Sequence, residues 1–206
     1  NMNSAKVALA GTGTNTAAVA FGGYGDDGVN ETELYNGTAW TEVNNLNTAR
    51  YGMSSLGTTN TAALSVSGNG PQDTVETWNG ASWTEIAEVN TGRTSLNSSG
   101  GSITNGMVFN GKTSSTAVTA VTEVWNGTSW TEVNDTNQAR RNAGGSGISS
   151  ADALAFGGTN LGASTRYNNT EIWNGTSWTE TNNLATARND VGSNGLSSQN
   201  ALMYGG

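Results

Sequence analysis

The segment VTEVWNGTSWTEV (residues 121–133) reads as two short strands turned on Asn126 and Gly127. Asn and Gly both tolerate positive φ, and a two-residue Asn-Gly loop between apolar runs is the strongest short-range hairpin signal. Trp125 and Trp130 then face each other across the mouth of the turn. The same unit recurs as TELYNGTAWTEV (residues 32–43), TVETWNGASWTEI (residues 74–86) and NTEIWNGTSWTET (residues 169–181). The aromatic pairs are therefore Trp78 with Trp83, Trp125 with Trp130 and Trp173 with Trp178, while Tyr35 takes one place opposite Trp40.

Between these hairpins lies a second recurring piece, seen as TARYGMSSLGTTNTAALSVSG (residues 48–68), QARRNAGGSGISSADALAFGG (residues 138–158) and TARNDVGSNGLSSQNALMYGG (residues 186–206). It occurs five times, closing at Gly23, Gly68, Gly111, Gly158 and Gly206, with intervals of 45, 43, 47 and 48 residues. Its second half alternates large and small residues, as in Leu154 and Phe156 or Leu202 and Tyr204, which marks a strand with two distinct faces. Its first half is rich in Gly and Ser. Gly weakens a strand unless backbones must approach closely, as they do near the axis of a radial array. Each repeat thus predicts an inner hairpin followed by an outer one. A period in the forties built from four strands is that of a β-propeller, in which each sheet buries its faces only by stacking on its neighbours.

Gly, Asn, Thr and Ser make up more than half of the 206 residues, a composition that could pass for disorder. Seven Trp, one Pro and only 12% charged residues argue for a packed chain instead. With no His and no Cys, the chain lacks disulfides, thiolate nucleophiles, imidazole bases and the usual zinc and copper ligands. A net charge of −8 without a basic cluster excludes a nucleic-acid partner, and no apolar run is long enough for membrane insertion. Eight of the acids recur at fixed places. Glu33, Glu76, Glu123 and Glu171 precede the turn, and Glu42, Glu85, Glu132 and Glu180 follow it. Lys6, Arg50, Arg93, Arg140 and Arg188 recur just before each inner hairpin, so pairing of these cations with the repeated acids is expected.

These features resemble the kelch family, including the central propeller of galactose-oxidase-like proteins. The resemblance rests on a Gly pair, an aromatic, a Trp and an Arg: Gly22, Gly23, Tyr35, Trp40 and Arg50 in the first repeat, and Gly157, Gly158, Trp173, Trp178 and Arg188 in the fourth. It implies an all-β, kelch-like β-propeller in which Trp40, Trp78, Trp83, Trp125, Trp130, Trp173, Trp178, Arg50, Arg93, Arg140 and Arg188 are structural fixtures. The outer hairpin is shorter than the usual kelch turn, and Ser67 and Asn110 stand where the first Gly of the pair belongs. The copper site of galactose oxidase needs His and a Tyr joined to Cys, so that activity does not carry over. The near-identical WNGTSW units also resemble kelch-like proteins of bacteria and marine phages, often virion or surface components.

The expected domain is single, residues 1–206, with four four-stranded blades (about 4–47, 48–90, 91–137 and 138–185) and a half blade at 186–206. Asn1 to Lys6 match Asn45 to Arg50, so the chain starts just past an outer hairpin and stops after an inner one. A five-bladed ring is expected, its last blade completed by residues upstream in a longer parent or by a neighbouring chain.

Positions that break the repeat are the functional candidates. The connections between inner and outer hairpins vary most: Tyr24, Asp26 and Asp27 lie in the first, Arg166 and Tyr167 in the fourth. The tyrosines could stack on a sugar, and Asp26 with Asp27 could hold a Ca2+ ion through oxygen ligands; no other cofactor is expected. The sequence therefore predicts a non-catalytic module, extracellular or virion-associated, that recognises a surface glycan or protein. Its alternatives are a decorating subunit packed against other chains and, third, a small-ligand enzyme.

Overall fold

A computed structural model describes residues 1–70 and 72–206, and every regular element in it is a strand. The first repeat forms a four-stranded antiparallel sheet in the order β1 (Ala10–Gly13), β2 (Ala18–Phe21), β3 (Thr32–Tyr35), β4 (Trp40–Val43). The second forms β5 (Ser54–Thr59), β6 (Ala62–Val66), β7 (Val75–Trp78) and β8 (Trp83–Ile86) in the same order. In the third, β9 (Asn97–Ser102) and β10 (Asn105–Phe109) are followed by a small separate hairpin, β11 (Lys112–Ser114) and β12 (Ala117–Val118). The sheet then resumes with β13 (Thr122–Trp125) and β14 (Trp130–Val133). The fourth comprises β15 (Gly144–Ser149), β16 (Asp152–Phe156), β17 (Thr170–Trp173) and β18 (Trp178–Thr181), and the fifth only β19 (Val191–Ser197) and β20 (Asn200–Gly205). The β11–β12 hairpin carries no repeat signal, which is why the sequence pattern does not foretell it.

The outer hairpins form as their sequence dictates. Trp125 pairs directly with Trp130 and Trp173 with Trp178, so the rings meet at 5.1 and 5.5 Å. Asn126 closes its turn by accepting from the N–H of Thr128 and of Ser129, each at 2.9 Å. The inner and outer hairpins of a sheet are locked together by the first Trp. The Nε1 of Trp78, Trp125 and Trp173 donates to the carbonyl of Asn60, Ile103 and Ser150 respectively, in the inner turn.

Three apolar clusters lie between successive sheets. One joins Val19 and Phe21 to Ala63, Trp78 and Trp83; the next joins Leu64 and Val66 to Trp125 and Trp130; the third joins Met107 and Phe109 to Ala153, Ala155, Trp173 and Trp178. This explains the alternation in the second strands. Their large residues reach toward the following sheet, while the small ones leave room for the preceding one. Each buried indole removes about 150–250 Å2 from water, on the order of 4–6 kcal/mol before entropy is subtracted. So few large apolar residues suffice because the tryptophans are spent between sheets.

The first strands pack side by side in series, β1 on β5, β5 on β9, β9 on β15 and β15 on β19. Gly145 permits a close backbone approach, since a Cβ there would stand 2.5 Å from the Ser98 carbonyl oxygen of the adjacent sheet. A chain of backbone hydrogen bonds runs across the starts of these strands. Gly52 N donates to Ala8 O, Ser95 N to Gly52 O, Asn142 N to Ser95 O and Asp190 N to Asn142 O, at 2.8 to 3.1 Å. All five residues have φ between 52° and 63°. Ala8 and Ser95 adopt this left-handed conformation at a cost that the inter-sheet bonds offset.

The ring closure expected between the fifth repeat and the first is not seen. β19 does not pack on β1 as the other consecutive first strands pack, so the five sheets form an arc open on one side. No further sheet stacks on the face of β20 toward which the large residues of the other second strands reach. Leu202 and Tyr204 are consequently 64% and 55% exposed, whereas Val19, Phe21, Leu64, Val66, Met107 and Phe109 at the same repeat positions are buried.

Candidate functional site

Most of the charge is absorbed by the scaffold. Each sheet's first repeated Glu is buried and meets the Arg that precedes its inner hairpin: Arg50 with Glu76, Arg93 with Glu123 at 2.6 Å and Arg140 with Glu171 at 2.6 Å. Lys6 takes this role in the first sheet, 3.4 Å from Glu33 and 3.2 Å from Glu31. The other carboxylate oxygen is equally occupied. Glu123 Oε2 accepts from the backbone N and the side-chain amide of Asn90, at 2.7 and 2.8 Å. Burial pushes all three guanidinium pKa values down, and the paired carboxylates pull them back up.

Two expectations about these charges are corrected. The second repeated acids, Glu42, Glu85, Glu132 and Glu180, are exposed and form no ion pair among the described residues. They stand cross-strand from the buried acids, near enough to raise the guanidinium pKa values without touching them. Arg188 is also unlike its counterparts. Among the described residues it has no carboxylate partner, and its guanidinium donates to the Gly205 carbonyl at 3.0 Å.

The tryptophans split by strand. Trp78, Trp83, Trp125, Trp130, Trp173 and Trp178 are buried, as structural roles require, but Trp40 is only half-buried because no sheet packs outside it.

The two ends of the arc differ in chemistry. One end holds the inner and outer turns, which repeat nearly unchanged. The other holds the residue after each repeat cation and the connection from inner to outer hairpin, and there the repeat breaks. The residues following the cations are Val7, Tyr51, Thr94, Arg141 and Asn189. Backbone pairing sets Val7 against Tyr24, Tyr51 against Asn69, Thr94 against Lys112 and Arg141 against Thr159. The scaffold thus presents a row of unlike side chains on one rigid face.

Tyr24, singled out by sequence, is 41% exposed and packs edge-on against Tyr51 with ring centroids 5.0 Å apart. Tyr51 was not foreseen. The signal for it is its position, since the residue after each repeat cation is the one that changes in every unit. Asp26 and Asp27 lie exposed in the same connection, where Asp27 Oδ1 accepts from Gly28 N at 2.7 Å. Among the described residues no cluster of three acidic ligands surrounds them. Glu31, which ends this connection, accepts from the Ser4 hydroxyl, and that bond holds its pKa below the ordinary carboxylate value.

Arg166 and Tyr167 occupy a different sector. Arg166 Nε donates to Asn189 Oδ1 at 2.7 Å, and Thr159 is bridged to both Arg141 and Arg166. Tyr167 lies along the fourth connection, its N–H donating to Gly158 O. Nothing brings Arg166 and Tyr167 into contact with Tyr24. Lys112, Arg141 and Arg166, the cations outside the repeat, all fall at the variable end and form no ion pair among the described residues.

A cavity of about 920 Å3 runs along the first strands of all five sheets, its lining rich in Gly, Ser and Asn and including Asp190 and Tyr204. No protein-family model matches the chain, and no curated protein matches it.

Proposed function

We propose that this chain is a kelch-like β-propeller that binds a glycan of a virion or cell surface without catalysis, through the end where its repeat breaks. The observation that carries this reading is the pair of exposed Tyr24 and half-buried Tyr51, held on main-chain bonds beside Asp26 and Asp27. Two aromatic faces next to acids and an Asn amide match the alternating apolar and hydroxyl faces of a sugar. The unpaired Arg141 and Arg166 in another sector of the same end suit acidic substituents on the glycan. The propeller reading is supported by the serial packing of first strands around one cavity, by the circulating bonds from Ala8 to Asp190, and by the identical sheet order. Blade number follows from how the open side is filled. Weak single-site affinity would be amplified when several copies sit on one assembly.

A glycan array tests the reading. Binding is expected, with Tyr24→Ala and Tyr51→Ala each lowering affinity about tenfold while melting temperature stays near that of the parent. A clean negative, or binding indifferent to both substitutions, would leave the decorating role as the better account.

A further inference from the structure

We propose that Arg141 and Arg166 form a subsite for one tetrahedral oxyanion, the sulfate or phosphate ester of an acidic glycan. The subsite rests on the glycan reading for the source of that ester and narrows it to a chemical class.

Backbone register brings the two cations together. Arg141 and Thr159 exchange both main-chain bonds, Arg141 N to Thr159 O at 3.0 Å and Thr159 N to Arg141 O at 2.9 Å. On its other side Thr159 stands opposite Arg166, between the bonds from Tyr167 N to Gly158 O and from Asn160 N to Thr165 O. Residues directly opposite in an antiparallel ladder share a face, so Arg141, Thr159 and Arg166 form a row. The pair spacings of such a ladder set the two arginine Cα atoms ~10 Å apart. Thr159 between them is short and fully buried, and its Oγ1 is already committed to Thr165 O at 2.8 Å.

No carboxylate neutralises this row. Residues 112–121 and 159–168 contain neither Asp nor Glu, although acids outnumber Lys and Arg by 16 to 8 in the chain. Asp190 accepts from the amides of Asn142 and Asn189, and among the described residues it forms no ion pair. Two like charges on one face repel, and an anion between them reverses that cost. The remaining donors set the class of anion. Arg141 Nε is out of reach of solvent, and its Nη2 donates to Leu161 O at 3.1 Å. Arg166 Nε donates to Asn189 Oδ1 at 2.7 Å. The Nε edge of each guanidinium, which grips a planar carboxylate by two parallel bonds, is thereby engaged. Arg141 Nη1 and both Nη groups of Arg166 bond to nothing among the described residues. They approach from opposite sides of Thr159, which suits oxygens set tetrahedrally better than two coplanar ones.

Calorimetric titration with inorganic sulfate, phosphate and acetate at constant ionic strength tests the subsite, and a glycan array tests the source. Saturable binding of sulfate or phosphate is expected, one ion per chain, with acetate about tenfold weaker. R141M and R166M should each weaken the ion about fivefold or more. K112M removes an equal charge from the neighbouring connection and should change binding by less than about twofold. Arg166 is exposed, so R166M should melt with the parent. On the array, the bound glycans should carry sulfate or phosphate esters, and R166M should lose them. The ion bound more tightly tells which ester is meant. No saturable uptake, acetate bound as tightly as sulfate or phosphate, or an equal response to K112M overturns the proposal. Neutral glycans bound as well as their esters also overturn it, while the glycan reading then stands on Tyr24→Ala and Tyr51→Ala. Ion uptake that R166M abolishes, with no glycan bound, keeps the subsite and removes the glycan reading.

Discussion

The indole Nε1 of Trp178 donates to Thr122 Oγ1 across the boundary between the third and fourth sheets, 3.1 Å away and out of reach of water. Trp83 and Thr32 make the same bond between the first and second. Between the second and third, Val75 stands in place of Thr, and Trp130 Nε1 is buried without a partner.

Equivalent positions should accordingly respond with opposite sign. Val75→Thr supplies the missing acceptor and is expected to stabilise by about 1 kcal/mol, whereas Thr122→Val strands a second indole and costs about 1–2 kcal/mol. Urea unfolding of the two variants reads both. Destabilisation by Val75→Thr would mean that the neighbouring apolar packing outweighs the bond.

The repeat cations should also separate. Arg93→Met leaves Glu123 buried beside its Asn90 donors with no countercharge, at a cost of about 3–5 kcal/mol. Arg188→Met removes a cation that has no buried acid, and a change within about 0.5 kcal/mol is expected. Equal losses in denaturant melts would contradict the assignment of Arg188 as unpaired.

Close approach of the first strands predicts a third contrast. Gly145→Ala drives a methyl group against the Ser98 carbonyl and should cost about 2–3 kcal/mol. Gly162→Ala, in a connection with room for the added atom, should lie within about 0.5 kcal/mol of the parent. Thermal melts of both decide whether backbone contact between sheets limits the fold.

The N-terminal segment should loosen in acid. The Ser4 bond keeps the folded pKa of Glu31 below its unfolded value, so ionisation of Glu31 favours the folded state. That contribution is complete above the ordinary carboxylate range and fades as pH falls through the lowered folded value. Hydrogen exchange of residues 3–7 should rise over that window in the parent and lose this step in Glu31→Gln. A step of the same size in Glu31→Gln would assign it to another group.

Legibility followed repetition. The Asn-Gly turns, the Trp pairs and the alternating second strands are local signals with a fixed period, and each appears in the sheets where the pattern puts it. Tyr24, Asp26 and Asp27 were marked by breaking that period, and they do lie exposed at one end. Tyr51 was hidden because it sits inside a stretch that otherwise repeats. The β11–β12 hairpin was hidden because Lys112–Ser114 and Ala117–Val118 carry no apolar alternation.

By itself the sequence determined the strands, their order within each sheet and the absence of imidazole and thiol chemistry, since these depend on neighbours a few residues apart or on composition. Only the tertiary structure decided which of two identical-looking acids is buried, that Arg188 stands apart from Arg50, Arg93 and Arg140, and that Tyr24 meets Tyr51. The physical reason is common to all three. A repeat encodes each sheet alike, but burial and pairing depend on what the neighbouring sheet and strands supply, and that differs from one sheet to the next.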